Sequence, residues 1–342
     1  MNRHPLLAAA CALGLLGVAA GARADPAPGA SGLRVVARIA GPDGGWDYAS
    51  FDPAGRRVFV AHGSQVMAID TDSGKVTPAF AAGDHLHAVV PIPGAGVIVT
   101  TNSGDSSARI LEAASGRLLA SVPTAKDADG AVYDPSSGLV MVIDGEAGQI
   151  TLVNPKTRAS PGSITVGDSL EFGAVDGKGK LFVNVESKNE VAVVDIAGRK
   201  VIARYPMPGC ERPTGLAYVS GDRLVSACGN GVAKILEASS GREIASFKIG
   251  GFPDAVLYDA GRGLAYIPSA LSGTLAVIAL SGPANNTIID TVPTQIGART
   301  GAVDPKTGRI YLPTAQYILP VPAGQRPTTK PGTFQVLVLD RK

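Results

Sequence analysis

The sequence predicts an all-β fold: a seven-bladed β-propeller built from four-stranded antiparallel blades. Three observations predict it. A strand-and-turn unit recurs seven times, turn formers are abundant (43 Gly and 25 Pro in 342 residues), and the two chain ends carry complementary fragments of one unit. With 45% hydrophobic residues, there is enough apolar material for a large core.

Each unit runs from an apolar strand into an Asp-Pro or Asp-Gly turn, through a second strand and turn, to an alternating strand ending in Asp. Ser-Gly-Lys/Arg and a last strand follow. Clear copies of the first turn are Phe51-Asp52-Pro53-Ala54-Gly55, Tyr133-Asp134-Pro135, Val175-Asp176-Gly177, Tyr258-Asp259-Ala260-Gly261 and Val303-Asp304-Pro305. Weaker copies open at Pro91 and Val219. The anchors 52, 91, 134, 176, 219, 259 and 304 are therefore spaced 39, 43, 42, 43, 40 and 45 residues. One unit resolves into strands at Thr214–Tyr218, Arg223–Ala227, Val232–Glu237 and Glu243–Lys248. Four short antiparallel strands per repeat are the signature of a propeller blade, which buries both faces only by packing against its neighbours.

The ends decide between a ring and an open solenoid. Leu33–Ile39 reads as a fourth strand with no blade before it, and Phe334–Asp340 as a third strand with no fourth after it. Pairing the two completes a blade and removes a sheet edge. Trp46-Asp47 occurs once, before the first strand of its unit, so a Trp-Asp repeat family is not supported.

At the N-terminus, Arg3 and His4 precede an apolar run from Leu6 to Ala20 and then Ala22-Arg23-Ala24. This charged, apolar, small pattern predicts a cleaved secretory signal over 1–24, with the propeller domain over 25–342 and a location in the periplasm or outside the cell. The run is too short for a membrane span. Cys11 could suggest lipidation, but Ala8 stands where Leu is expected. Cleavage removes Arg3 and Arg23, turning the formal +2 into 29 basic against 29 acidic residues. No basic surplus remains, so nucleic acid is not an expected partner. A monomer is expected.

Cys210 and Cys228 remain in the mature chain. In an oxidising compartment they read as one disulfide, since a hairpin about Ser220–Asp222 sets Cys228 opposite residue 213, within reach of Cys210. They are too few for a zinc or iron–sulfur site.

The units resemble the YVTN-repeat, YncE-like family of secreted bacterial propellers over roughly residues 33–340. The resemblance is carried by Glu171-Phe172-Gly173-Ala174-Val175-Asp176-Gly177-Lys178-Gly179 with Phe182-Val183-Asn184-Val185-Glu186, and by Pro213-Thr214-Gly215-Leu216-Ala217. Pro293-Thr294-Gln295, Ala298-Arg299-Thr300 and Arg309-Ile310-Tyr311-Leu312-Pro313-Thr314 carry it too. Relatives also have the two cysteines. The resemblance implies fold and export and leaves function open, because this architecture hosts lactonases, lyases and binding proteins.

Counting back five from each anchor gives equivalent positions entering the innermost strand: Asp47, Leu86, Asp129, Glu171, Thr214, Asp254 and Arg299, with His85 and His87 flanking Leu86. In a ring of blades these circle one mouth of the central channel. A second polar set, His62, Asn102, Asp144, Asn184, Glu186, Asn230 and Gln316, lies where strand two passes to strand three on the same face. Asp47, His87, Asp129, Glu171, Asp254 and Arg299 are thus the expected ligand-binding residues. Single acids at such positions also serve as turn and blade-register anchors. As a set they repel unless a cation compensates, and Glu171, Asn184 and Asp254 are the expected ligands for a divalent ion such as Ca²⁺. The Pro-rich connection 316–332 is a candidate lid or a stiff surface excursion.

There is no Gly-x-Ser-x-Gly, His-Glu-x-x-His or phosphate loop. The leading expectation is a binding or scaffold protein using the mouth for a small molecule, a cation or a periplasmic protein. The alternative is a metal-assisted lactonase-type hydrolase or lyase at the same mouth.

Overall fold

The computed structural model describes residues 29–280, 282, 286–318 and 327–341. The predicted signal segment and the centre of the Pro-rich connection lie outside the described residues. Twenty-eight strands form seven four-stranded antiparallel sheets, six of them consecutive in sequence. The seventh takes Ala302–Val303, Ile310–Thr314 and Gln335–Arg341 from the C-terminal end and Leu33–Ala40 from the N-terminal end. Its outer pair runs from Leu33 opposite Arg341 to Ala40 opposite Gln335, so the ring closes as the complementary ends predict.

Strand alternation explains how each blade holds two neighbours. In the first blade, Val58 and Val60 of Arg57–His62 pack toward the seventh blade, beside Tyr311, Val336 and Val338. Phe59 and Ala61 of the same strand pack toward the second blade, beside Leu86, Val89 and Ile98. Successive side chains leave a strand on opposite faces, and here both faces are buried. The middle strands consequently read as continuous apolar runs, as in Val140-Met141-Val142-Ile143, all fully buried. Buried apolar side chains fall into seven clusters, one at each junction between adjacent blades. Outer strands keep one dry face: Lys200–Pro206 alternates exposed and half-buried residues along its length.

The Asp anchors hold the turns at the face away from the mouth. Asp134 accepts hydrogen bonds from the Ser137 amide at 2.9 Å and the Ser136 hydroxyl at 2.7 Å. Asp304 does the same for the Lys306 amide at 2.9 Å and the Thr307 hydroxyl at 2.8 Å. The second blade departs from the predicted register by one residue. Ile92 pairs with Val97 as Asp134 pairs with Leu139, so the anchor is Ile92 and not Pro91. Its turn, Pro91-Ile92-Pro93-Gly94, has no Asp to mark the position.

Cys210 and Cys228 form the predicted disulfide, with Cα atoms 5.4 Å apart, and Cys228 pairs across the hairpin with Pro213. The bond ties the loop entering the fifth blade to the end of its second strand.

Two outcomes follow from this architecture. Deleting residues 33–40 exposes the length of Gln335–Arg341 as a bare edge and should produce concentration-dependent aggregation in size-exclusion chromatography. A soluble truncation with unchanged melting temperature would refute closure by that strand. Replacing both cysteines by Ser should lower stability by about 3 kcal/mol in denaturant titration, the expectation for a loop of this size.

Candidate functional site

The corrected register of the second blade puts His87, not Leu86, at the position equivalent to Asp129. The innermost strands therefore present, in ring order, Asp47, His87, Asp129, Glu171, Thr214, Asp254 and Arg299 at the mouth. Strand entrances in a propeller are fixed by hydrogen bonds to the next blade, and here several run through these residues' own main chain. The Thr101 hydroxyl donates to the Asp129 carbonyl at 2.6 Å, the Thr300 hydroxyl to the Asp47 carbonyl at 2.7 Å, and the Tyr48 amide to the His87 carbonyl at 3.0 Å. The backbone under the ring is held from blade to blade, so the side chains start from fixed origins.

Five of the seven form an arc of alternating sign. His87 Nδ1 lies 2.7 Å from Asp47 Oδ2 and 3.3 Å from Asp129 Oδ1. Arg299 lies 3.8 Å from the other Asp47 oxygen, and its Nε donates to Asp254 Oδ2 at 2.8 Å. A further Arg299 nitrogen donates to the Trp46 carbonyl at 2.9 Å, and the guanidinium sits 5.8 Å from the Trp46 ring centroid. The side chains of Asp47, His87, Asp129 and Asp254 are each about 17–18% exposed, so water screens the arc only partly. From its other nitrogen, His87 reaches the Ser103 hydroxyl at 3.0 Å, which in turn lies 2.9 Å from Nδ1 of the exposed His85.

Glu171 stands outside this alternation. Its partner is the Tyr48 hydroxyl, which donates at 3.4 Å, and no cation lies within ion-pair distance of it among the described residues. The Tyr48 ring packs on Phe172 at 4.7 Å between centroids, and both line the central cavity of about 400 Å³ beneath the ring, with Tyr133 and Tyr218 deeper in.

The electrostatics follow from burial and sign. Burial pushes Glu171 well above the usual carboxylate range, and the nearby charges of Asp129 and Asp254 push it further. Burial together with Asp47 raises Asp129 to about 8 despite the opposing pull of His87. Asp254, buried but paired with Arg299, rises only to about 6. For His87, burial works against the charge, yet the Asp47 hydrogen bond and the fields of Asp129 and Asp47 outweigh it and lift its pKa to about 9. Burial also raises Tyr48, with Glu171 adding to it, so its phenol stays a neutral donor.

The second polar set does not join this cluster. The Asn184 amide donates to the Thr214 and Gly215 carbonyls at 2.6 and 3.2 Å and its oxygen accepts from Ser226, which spends the side chain on the junction between the fourth and fifth blades. It is therefore not free to join Glu171 and Asp254 around an ion, as the sequence reading expected. It lies one residue before the strand end, and strand alternation turns it toward the neighbouring blade. Asn102 accepts from the Asp84 amide, Asp144 from the Thr151 hydroxyl, and Asn230 bridges Glu211 and Gly209, all bonds that staple loops. His62 is buried edge-on against Phe334. Glu186 pairs with Arg212 and lies near enough to add to the field at Glu171 and Asp254. Gln316 and Thr333 close the stem of the Pro-rich connection, where Tyr317 bridges Thr329. The metal-capable grouping among the described residues is instead Asp47, His87 and Asp129, whose ligand atoms lie within 4.8 Å of one another.

No protein-family model and no curated protein sequence matches the chain. Solved structures do. The U3-55K structure superposes with a TM-score of 0.76 at 13% identity, over 92% of this chain and 100% of that one. A chain of the mitotic checkpoint complex gives 0.72 at 14%, over 91% and 96%. A chain of the hydrazine synthase of Kuenenia stuttgartiensis gives 0.69 at 16%, over 78% and 92%. The likeness is one of fold. It places the chain among β-propellers, and the chemistry has to be read from the ring itself.

His87 should be an imidazolium at pH 7. Its folded pKa of about 9 exceeds the ordinary 6.5, so its contribution to stability is complete below pH 6.5 and is lost as pH rises through 9. Imidazole resonances followed by NMR should titrate near pH 9, and Asp47→Asn should move the midpoint down by at least one pH unit. A midpoint near 6.5 in the wild-type protein would contradict the arc.

Proposed function

We propose that this chain is an exported, periplasmic binding protein of the YVTN-repeat, YncE-like kind, whose channel mouth takes a positively charged group. One observation carries the reading: four carboxylates, Asp47, Asp129, Glu171 and Asp254, converge on a half-buried mouth where, among the described residues, His87 and Arg299 are the cations paired with them. Burial, with repulsion among the acids added to it, raises both Glu171 and Asp129, and a cation entering beside them would offset that cost. The charged, apolar, small pattern before Asp25 and the Cys210–Cys228 bond support export. Among the described residues no helix is long and apolar enough to cross a membrane.

The test is calorimetric titration of the mature protein with Ca²⁺ and with spermidine. Binding of either should weaken at least tenfold in the Asp129→Asn, Asp254→Asn double variant, since each substitution removes a carboxyl that the bound cation would hold in its ionised form. If neither cation binds, or if the double variant binds as well as wild type, the mouth is not a cation site.

A second reading, metal-assisted hydrolysis of a lactone-type ester, draws on the grouping of Asp47, His87 and Asp129 within 4.8 Å. These two carboxylates would hold the ion together with the His87 imidazole, which must give up its proton to ligate, and the ion's chemistry is to polarise a carbonyl oxygen. Glu171, facing the Tyr48 hydroxyl, would be the group that holds or delivers the proton. Metal analysis of the purified protein, followed by lactone hydrolysis with and without chelator, decides this reading. Metal-free protein, inert in both conditions and after incubation with Zn²⁺ or Ca²⁺, would remove it.

A further inference from the structure

The seven blades serve as internal controls for one another, and on the mouth face two of them break a rule the others keep. In the loops entering the innermost strand, the position three before the ring residue is Asp84, Lys126, Asp168, Glu211 or Gly in six blades; in the seventh it is Ile296, 45% exposed. At the tip of the hairpin between strands two and three, Gly104, Glu146 and Ser187 are matched in the sixth blade by Leu271, 67% exposed. Two residues before the ring, a left-handed backbone recurs at His85, Asp127, Arg212 and Phe252, with Gly297 in the seventh blade. His and Asp visit that conformation readily, whereas a bulky aromatic there is an outlier. Phe252 nonetheless holds it, 47% exposed.

These side chains stand on loops bonded to one another, a ledge edged by the Arg212 guanidinium 5.9 Å from the Phe252 ring centroid. The Leu271 amide donates to the Gly251 carbonyl and the Ala270 amide to that of Phe252, while the Gly297 amide donates to the Ala270 carbonyl at 2.9 Å. Neighbouring loops of the sixth and seventh blades are thus laced together with their apolar side chains outward. Ile318, 53% exposed, follows Tyr317, which stacks on Trp46 at 6.4 Å. The ledge ends at the acidic mouth: Phe252 is two residues from Asp254, at most about 7 Å of chain. Apolar residues at loop tips gain nothing by facing water, and contiguous apolar surface beside a charged site marks an interaction surface.

Resting on the reading of the mouth as a cation site, we propose that the ligand is a segment of another protein: an extended stretch that puts a Lys or Arg into the carboxylate ring and lays apolar side chains on the Phe252–Leu271–Ile296 ledge. Charge complementarity selects this occupant. The same acids disfavour an anionic lipid surface, and a free polyamine or metal ion has nothing to place on the ledge. An extended chain spaces alternate side chains about 7 Å apart, enough to span the two residues from Phe252 to Asp254.

The experiment uses the full mature protein and fluorescein-labelled decapeptide pools with a central Arg between two apolar positions. Matched pools carry Glu for the Arg, or Ser for the apolar residues. Fluorescence anisotropy should show the Arg–apolar pool bound at least tenfold more tightly than either control. Leu271→Ser with Ile296→Asn should weaken that pool about tenfold, the scale of losing apolar burial, while leaving spermidine binding and the melting temperature unchanged. Leu271→Met should retain binding. Spermidine binding without any preference for the Arg–apolar pool would overturn this proposal and leave the cation site standing. Failure of wild type to bind either spermidine or Ca²⁺ would instead refute the cation site, and with it the peptide assignment. A concentration-dependent dimer abolished by the ledge variant would give the ledge to a second copy of this chain and overturn the proposal.

Discussion

The pairing of Leu33–Ala40 with Gln335–Arg341 is the constraint on which the rest depends. Seven sheets, each apolar on both faces, have no stable arrangement as an open row, because the two end blades would each present a full face and an edge to water. Joining the first strand to the last blade removes both at once. The apolar cluster between the seventh and first blades, with Trp46, Met67, Tyr311 and Phe334, exists only in the closed ring. So does the mouth, since Arg299 reaches Asp47 and the Trp46 carbonyl across that same junction.

Closure also explains why the sequence was so informative about the fold. The repeat needs an Asp or Gly at each tight turn and a run of apolar residues wherever a strand is covered on both sides. Both leave marks that can be counted. The count failed by one residue in the second blade, where Pro91-Ile92-Pro93-Gly94 makes the turn without an Asp carboxylate. That slip exchanged His87 for Leu86 in the counted ring, although His87 was recognised beside it.

The site was legible in part for the same reason. Ring membership follows from register, and ring order follows from chain order, so the neighbours of His87 and Arg299 were implicit in the spacing. Asn184 shows the limit: being near a strand end says little about facing, and one residue of offset turns a side chain from the mouth to the neighbouring blade. The exposed ledge left a weaker mark. A single Leu or Phe in a loop means little alone, and Phe252, Leu271 and Ile296 stand out only when equivalent positions of all blades are set side by side.

The ring has seven members, and seven is odd. Charges placed around a closed loop can alternate perfectly only when the number of places is even. From Asp129 through His87, Asp47 and Arg299 to Asp254 the signs do alternate. The remaining two places, Glu171 and the uncharged Thr214, must absorb the mismatch, and it falls between Glu171 and Asp129. The neutral Thr214 relieves the odd count, so the one like-signed link comes from the carboxyl of Glu171 standing next to Asp129. A six- or eight-bladed relative could satisfy every neighbour internally. In this protein that link sits at Glu171, where burial and the neighbouring acids raise the carboxyl well above its ordinary range and favour a proton on it.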